Sequence, residues 1–312
     1  MTIAQQLGNF VLVISTGGTI ACTTDPGTGA RTPTLSAEDL VRACGTTEEV
    51  RVYDAARLDS SSISLGELDT LIELSRRALS DANVAGIVIT HGTDSLAETA
   101  LALDLVHDDP RPVVLTGSQL PADHPHADGP DNLNRAIALA ADPLARGQGV
   151  MVAFGGDTLA ARGLIKRDTA ERRAFALSAP LSLPRPAPVS PAALAGVDVP
   201  ILRAWPGAEG DLVDRVVAAT PDGIVVEALG SGNVSEQMGE ALGRALDAGI
   251  PVVVATSVPF GEVSFDYGGV GGGSSLGARG ALPGGWLRAG QARIALVTAL
   301  ATGTDPRLLL GV

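Results

Sequence analysis

Lysine is almost missing from this 312-residue chain: of 22 basic residues, 21 are arginine and one is Lys166, in the stretch "RGLIKRD". Cysteine is scarce as well, and Cys22 and Cys44 are too few to build a disulfide framework. Aromatic residues make up only 3% of the chain, which leaves the packing of any core to aliphatic side chains. No apolar run approaches the roughly 20 residues that a membrane helix requires, so no membrane partner is expected. The start, "MTIAQQLGNF", has neither the basic region nor the apolar core of a secretory signal, and the expected location is cytoplasmic. Positive charge is short overall. The net charge is −13 and no basic cluster interrupts it, so the chain lacks a footprint for a phosphate backbone and no nucleic acid is expected as a partner.

What the chain does have is apolar substance: 45% hydrophobic and 18% charged residues permit a large core and argue against disorder. Short apolar, β-branched runs recur at 10–15, 85–90, 112–117, 149–154, 223–228 and 250–257. Continuous apolarity of this kind marks parallel strands covered on both faces by helices. Amphipathic helical segments alternate with them. Ser64 with Glu67 reads as a capping box opening a helix to about 81, and Ser95 with Glu98 as another opening a helix to about 107. Helical pattern returns at 131–141, 211–219, 235–248 and 291–301. The expected fold class is therefore α/β, with a parallel-sheet N-terminal domain at 1–180 and a smaller α/β C-terminal domain at 201–312. Between them, 181–200 reads as a linker, because "LSAPLSLPRPAPVSPAALAGVDVP" at 177–200 holds six prolines and no periodic pattern.

Ligands of open parallel sheets bind beyond the carboxyl ends of strands. That rule selects "STGGTI" at 15–20, "THGTDS" at 90–95, "TGSQLP" at 116–121 and "GGDT" at 155–158, all rich in glycine and hydroxyls. In the first, Thr16 and Thr19 flank two glycines able to turn the backbone tightly, and a threonine there is a candidate nucleophile. In the second, Thr93 and Asp94 add a hydroxyl and a carboxylate before a helix. A threonine hydroxyl is a poor nucleophile until a base removes its proton; a lysine can act as that base, whereas arginine stays protonated. A chain that uses arginine everywhere else yet keeps Lys166 points to proton transfer at that position. His124 and His126 form an H-x-H pair with no further ligand nearby, so no metal is expected.

"STGGTIA", "ITHGTDSLAETA", "DGPDNLNRA" and the lysine of "RGLIK" together resemble the bacterial two-domain L-asparaginases. The resemblance implies an amidohydrolase converting L-asparagine to L-aspartate and ammonia through an acyl-enzyme, with no cofactor and with minor glutaminase activity as an extension. It implies Thr16 as the nucleophile and Thr93, Asp94 and Lys166 as a second catalytic group. It also implies Ser60, Ser61, Gly17, Gly92, Asp94 and Asn233 at the substrate, the last reaching a neighbouring subunit of a homo-oligomer built as a dimer of dimers. The partner is then a small amino-acid amide. Two positions depart from the family pattern. The loop "ACTTDPGTGARTPTL" has no tyrosine where many relatives carry one, and Asp266 or Tyr267 stands in the region where relatives lend an acidic group. The departures motivate a competing reading, an asparagine-binding sensor or weakly active homologue on the same fold.

Overall fold

The computed structural model describes residues 9–180 and 182–312. Two compact units divide the described residues, the first comprising those up to 161 with 166–176 and the second 162–165 with those from 177 on. The proline-rich segment expected as a linker thus counts with the second unit.

In the first unit, β1 (Phe10–Gly17) leads through a short hairpin, β2 (Cys22–Thr24) and β3 (Arg31–Pro33), into α1 (Ala37–Cys44) and β4 (Val50–Leu58). Then come α2 (Leu65–Leu79), β5 (Val84–Thr90), α3 (Leu96–Val106), β6 (Val113–Thr116), α4 (Gly129–Ala141), β7 (Val150–Phe154) and β8 (Asp157–Ala160). The chain continues into β9 (Leu164–Lys166) and β10 (Phe175–Leu177). The six-stranded sheet has the order β4-β1-β5-β6-β7-β8. All its pairings are parallel except β7 with β8. The strands form because their residues are buried on both faces: Val13, Ile87, Val88, Ile89, Val114 and Leu115 are fully enclosed. On one face, side chains of α1 and α4 close the core over β1, β5 and β6 through Leu40, Leu133, Ile137 and their neighbours.

The order in which strands are added reverses at β1, because β4 joins on one side of it and β5 on the other. Such a reversal splays the loops that leave the strands' carboxyl ends and opens a crevice there. The loops that follow β1, β4 and β5 therefore meet at one place.

Helix starts explain much of the local geometry. Ser64 accepts the Glu67 N–H and Glu67 answers to the Ser64 backbone, the box read from the sequence. Ser36 and Asp39 form an equivalent box on α1. The box expected at Ser95 does not form. Its hydroxyl makes no cap on α3 and instead donates to the Ser60 carbonyl at 2.6 Å, turned toward the loop after β4.

The second unit carries β11 (Ile201–Arg203), α5 (Asp211–Ala218), β12 (Ile224–Ala228), α6 (Glu236–Asp247) and β13 (Val252–Thr256). It ends with α7 (Gly273–Ala278), β14 (Leu282–Pro283), α8 (Ala289–Thr302) and α9 (Pro306–Leu310). Its four strands are parallel in the order β11-β12-β13-β14, around a core that includes Val226, Leu242, Val254 and Leu276.

Candidate active site

Beyond the carboxyl ends of β4, β1 and β5 lies a cavity of about 210 Å³. Its wall contains Gly18 and Thr19 from the turn after β1, Ser60 after β4, and Gly92, Thr93 and Asp94 after β5. Cys22, Arg31 and Asp59 complete its polar lining. Glycine is needed where these loops touch. Gly18 has φ of 80°, and a Cβ there would lie 2.5 Å from the Gly92 nitrogen. A Cβ on Gly92 would lie 2.4 Å from Ser60 Oγ. Any larger residue at either place would push the three loops apart.

Ser60 is held from both sides. Its hydroxyl oxygen accepts the Asp94 N–H at 3.3 Å and its carbonyl accepts the Ser95 hydroxyl. Among the described residues no acceptor takes the Ser60 O–H, which leaves that proton for a bound group. The Lys166 Nζ, at the end of β9, donates to Thr93 Oγ1 at 2.8 Å and to Asp94 Oδ1 at 3.0 Å. Thr93 is 7% exposed, whereas the Asp94 side chain keeps 58% of its surface. The hydroxyl is thus withdrawn beside the amine while the carboxylate also faces outward. Burial pushes the Cys22 thiol up from its ordinary value, opposed by the charge of Arg31, so Cys22 is poorly suited to act as a thiolate.

Of the residues expected at the site, Ser60, Gly92, Thr93, Asp94 and Lys166 come together here. Thr16 does not. It is 3% exposed, its hydroxyl donates to the Thr90 carbonyl at 2.8 Å, and it is no part of the cavity wall. The reason is strand geometry: Thr16 is still inside β1, flanked by β4 and β5, and the positive-φ pair Gly17 and Gly18 turns the chain before Thr19. Thr19 is half-buried on the cavity wall, and among the described residues its hydroxyl has no hydrogen-bond partner. Gly17 packs against the backbone of Leu58 rather than lining the cavity. Ser61 is exposed and gives its N–H to Asp59. Asn233 belongs to the second unit, where it closes a tight turn with Leu229.

The remaining motifs hold loops in place. In "DGPDN", the buried Asp128 carboxylate accepts the N–H groups of Gln119 and Leu120, and Asn132 donates to the Gly117 carbonyl while accepting the Gly155 N–H. That network ties "TGSQLP" and "GGDT" to the start of α4. No cluster of three or more metal-ligating side chains occurs among the described residues.

An asparaginase N-terminal family model matches residues 10–183, and a glutaminase/asparaginase C-terminal domain model matches 198–309. The chain belongs to the asparaginase family. This asparaginase-family chain is 30% identical to an L-asparaginase of Bacillus licheniformis, over 94% of its own length and 95% of that protein's. It is 36% identical to a glutamyl-tRNA(Gln) amidotransferase subunit of Methanopyrus kandleri, over 82% of its own length and 63% of that protein's. Its fold is similar to the crystal structure of a probable cytoplasmic L-asparaginase from Campylobacter jejuni. The TM-score is 0.83 at 25% identity, covering 97% of this chain and 98% of that one.

Proposed function

We propose that the protein hydrolyses the side-chain amide of L-asparagine, with L-glutamine as a poorer substrate. The observation that carries the reading is Lys166 Nζ within 2.8 Å of Thr93 Oγ1 on the wall of a small polar cavity. A lysine that meets a hydroxyl and a carboxylate can exchange a proton with that hydroxyl, which arginine cannot do.

The nucleophile in this reading is Thr19, the cavity hydroxyl whose lone pairs are unoccupied. Its oxygen attacks the amide carbonyl, and its proton passes to the Thr93 and Lys166 pair. Collapse of the tetrahedral intermediate breaks the C–N bond, and the same pair returns a proton to the departing ammonia. Water then adds to the threonyl ester and gives up a proton to the pair; collapse breaks the ester C–O bond, the pair returns that proton to Thr19 Oγ1, and the acid leaves. Asp94 offers its carboxylate to the substrate ammonium, and the Ser60 hydroxyl faces the substrate carboxylate. The cytoplasm is the proposed location, supported by the likeness to the Campylobacter protein.

Ammonia release from L-asparagine tests the reading directly. Lys166→Arg keeps the charge and is expected to lower kcat by about a thousandfold or more, the scale of a lost acid–base group together with a displaced hydroxyl. Full turnover by that variant would remove the proton-transfer role.

A further inference from the structure

The β2–β3 hairpin borders the cavity but has little to hold itself down. Its strands are three residues each, paired antiparallel from Cys22 with Pro33 to Thr24 with Arg31, and they bring Cys22, Arg31 and Pro33 to the cavity wall. Past Cys22 its residues are half-buried or exposed, and a two-stranded ribbon of that kind is marginal by itself. The tip keeps its own shape, because Asp25 accepts the N–H groups of Gly27 and Thr28 and the Thr28 hydroxyl. Among the described residues, 25–32 make no hydrogen bond outside the hairpin.

One free edge of β2 is taken up by the loop between β6 and α4. There the Ala122 N–H donates to the Cys22 carbonyl at 2.8 Å. The Asp123 carboxylate accepts the Thr24 N–H at 2.8 Å on one oxygen and the Thr24 hydroxyl at 3.2 Å on the other. The Thr24 N–H is also the main cause that holds the Asp123 carboxyl below its ordinary pKa, so the acceptor is a charged one, and such hydrogen bonds are the stronger kind. The loop itself is a fixed post. Buried Asp128 pins it at Gln119 and Leu120, and Gln119 Nε2 donates to the Glu171 carbonyl at 3.0 Å, in the stretch that follows Lys166.

We propose that Asp123 is a positioning residue whose carboxylate latches the β2–β3 hairpin to the β6–α4 loop and so completes the cavity wall. The inference rests on the amidohydrolase reading above, for which a lifted hairpin leaves the cavity open to water on the side of Cys22 and Arg31. Asp123 is no part of the cavity lining, and its effect passes through Thr24. A molecule without the latch is closed for only a fraction of the time, and its apparent affinity falls by that fraction while turnover of the bound substrate is kept.

The test uses the full chain as wild type, Asp123→Ala and Asp123→Asn. Trypsin cutting after Arg31, followed by mass spectrometry, reads hairpin opening, and ammonia release from L-asparagine reads the site. In Asp123→Ala the cut is expected to be about tenfold faster and KM about tenfold higher, with kcat within about threefold and the urea midpoint unchanged. Asp123→Asn keeps an oxygen for the Thr24 N–H without the charge and should fall between. Equal cutting rates overturn the latch, and faster cutting with an unchanged KM overturns its tie to the site; either leaves the amidohydrolase reading standing. If Asp123→Ala lowers the urea midpoint, Thr24→Val takes its place, removing only the hydroxyl bond, with about threefold expected in both cutting and KM and no change in either overturning the inference. Should wild type release no ammonia, the amidohydrolase reading fails, and the cutting rates alone decide on the latch.

Discussion

Thr16 and Thr19 are three positions apart, and the two glycines between them decide which hydroxyl reaches the cavity wall. Thr16 ends its strand with its proton committed to the Thr90 carbonyl, so Thr16→Val should cost about 1–3 kcal/mol in urea unfolding, the usual consequence of stranding a buried acceptor. Its kcat should stay within about tenfold of wild type, because no cavity hydroxyl is lost. Thr19→Val should fold normally and lose kcat by about a thousandfold or more. Acid quenching followed by fragment mass spectrometry should locate the acyl group on Thr19. An ester on Thr16 or Thr93 would reassign the nucleophile. The lysine is decided at the same scale. Its neighbour Arg162 spreads its fork over the carbonyls of Leu309 and Leu310, and Arg167 donates to the Arg173 carbonyl. Both serve as donors to backbone, whereas Lys166 meets a hydroxyl and a carboxylate with one nitrogen.

Between elements, His91 fastens the end of β5 to α3. Its Nδ1 donates to the Gly92 carbonyl at 2.7 Å, and its Nε2 meets the Thr99 hydroxyl at 3.1 Å. Burial holds its pKa below the ordinary 6.5. Above pH 6.5 folded and unfolded chains both carry neutral imidazole, and the contribution is complete. Below it the unfolded chain takes up a proton that the folded one refuses, and unfolding free energy falls by about 1.4 kcal/mol per pH unit until the folded pKa is reached. Urea unfolding between pH 8 and 5 should show wild type losing more than His91→Gln below pH 6.5; parallel curves would mean that this ring does not govern the acid limb.

Elements differ in how plainly the sequence announces them. The continuous apolar runs mark six strands because strands buried on both faces cannot hide. β4, "VRVYDAARL", is harder to read, since as an edge strand it holds only half-buried and exposed residues and mixes charge with Val and Leu. Lys166 is legible from its rarity, and Thr93 and Asp94 from their place after a strand. Thr16 draws the nucleophile's role in the sequence because both threonines share one local pattern. The signal that separates them is the end of the apolar run: a threonine continuing "FVLVIS" is still in the sheet, and one beyond the glycine pair has left it. Arg31 and Cys22 give no such sign, as their place on the cavity wall depends on a hairpin folding back over the strand ends.

For the molecule as a whole, charge bears on the choice of partner. A protein that handles tRNA must meet a polyanion, and this chain carries a net charge of −13 without a basic cluster. In gel shift at physiological salt it should leave tRNA unretarded up to about 1 μM, tighter than most non-specific binding reaches. Saturable retardation below that concentration would point to a role like that of the amidotransferase subunit of Methanopyrus kandleri instead.

The wall of the cavity is finished by residue 94, but the amine that meets Thr93 is 73 positions beyond that threonine in the chain. On the amidohydrolase reading, the two halves of the proton relay are joined only when the unit folds as a whole, and a chain truncated before Lys166 is expected to be inert.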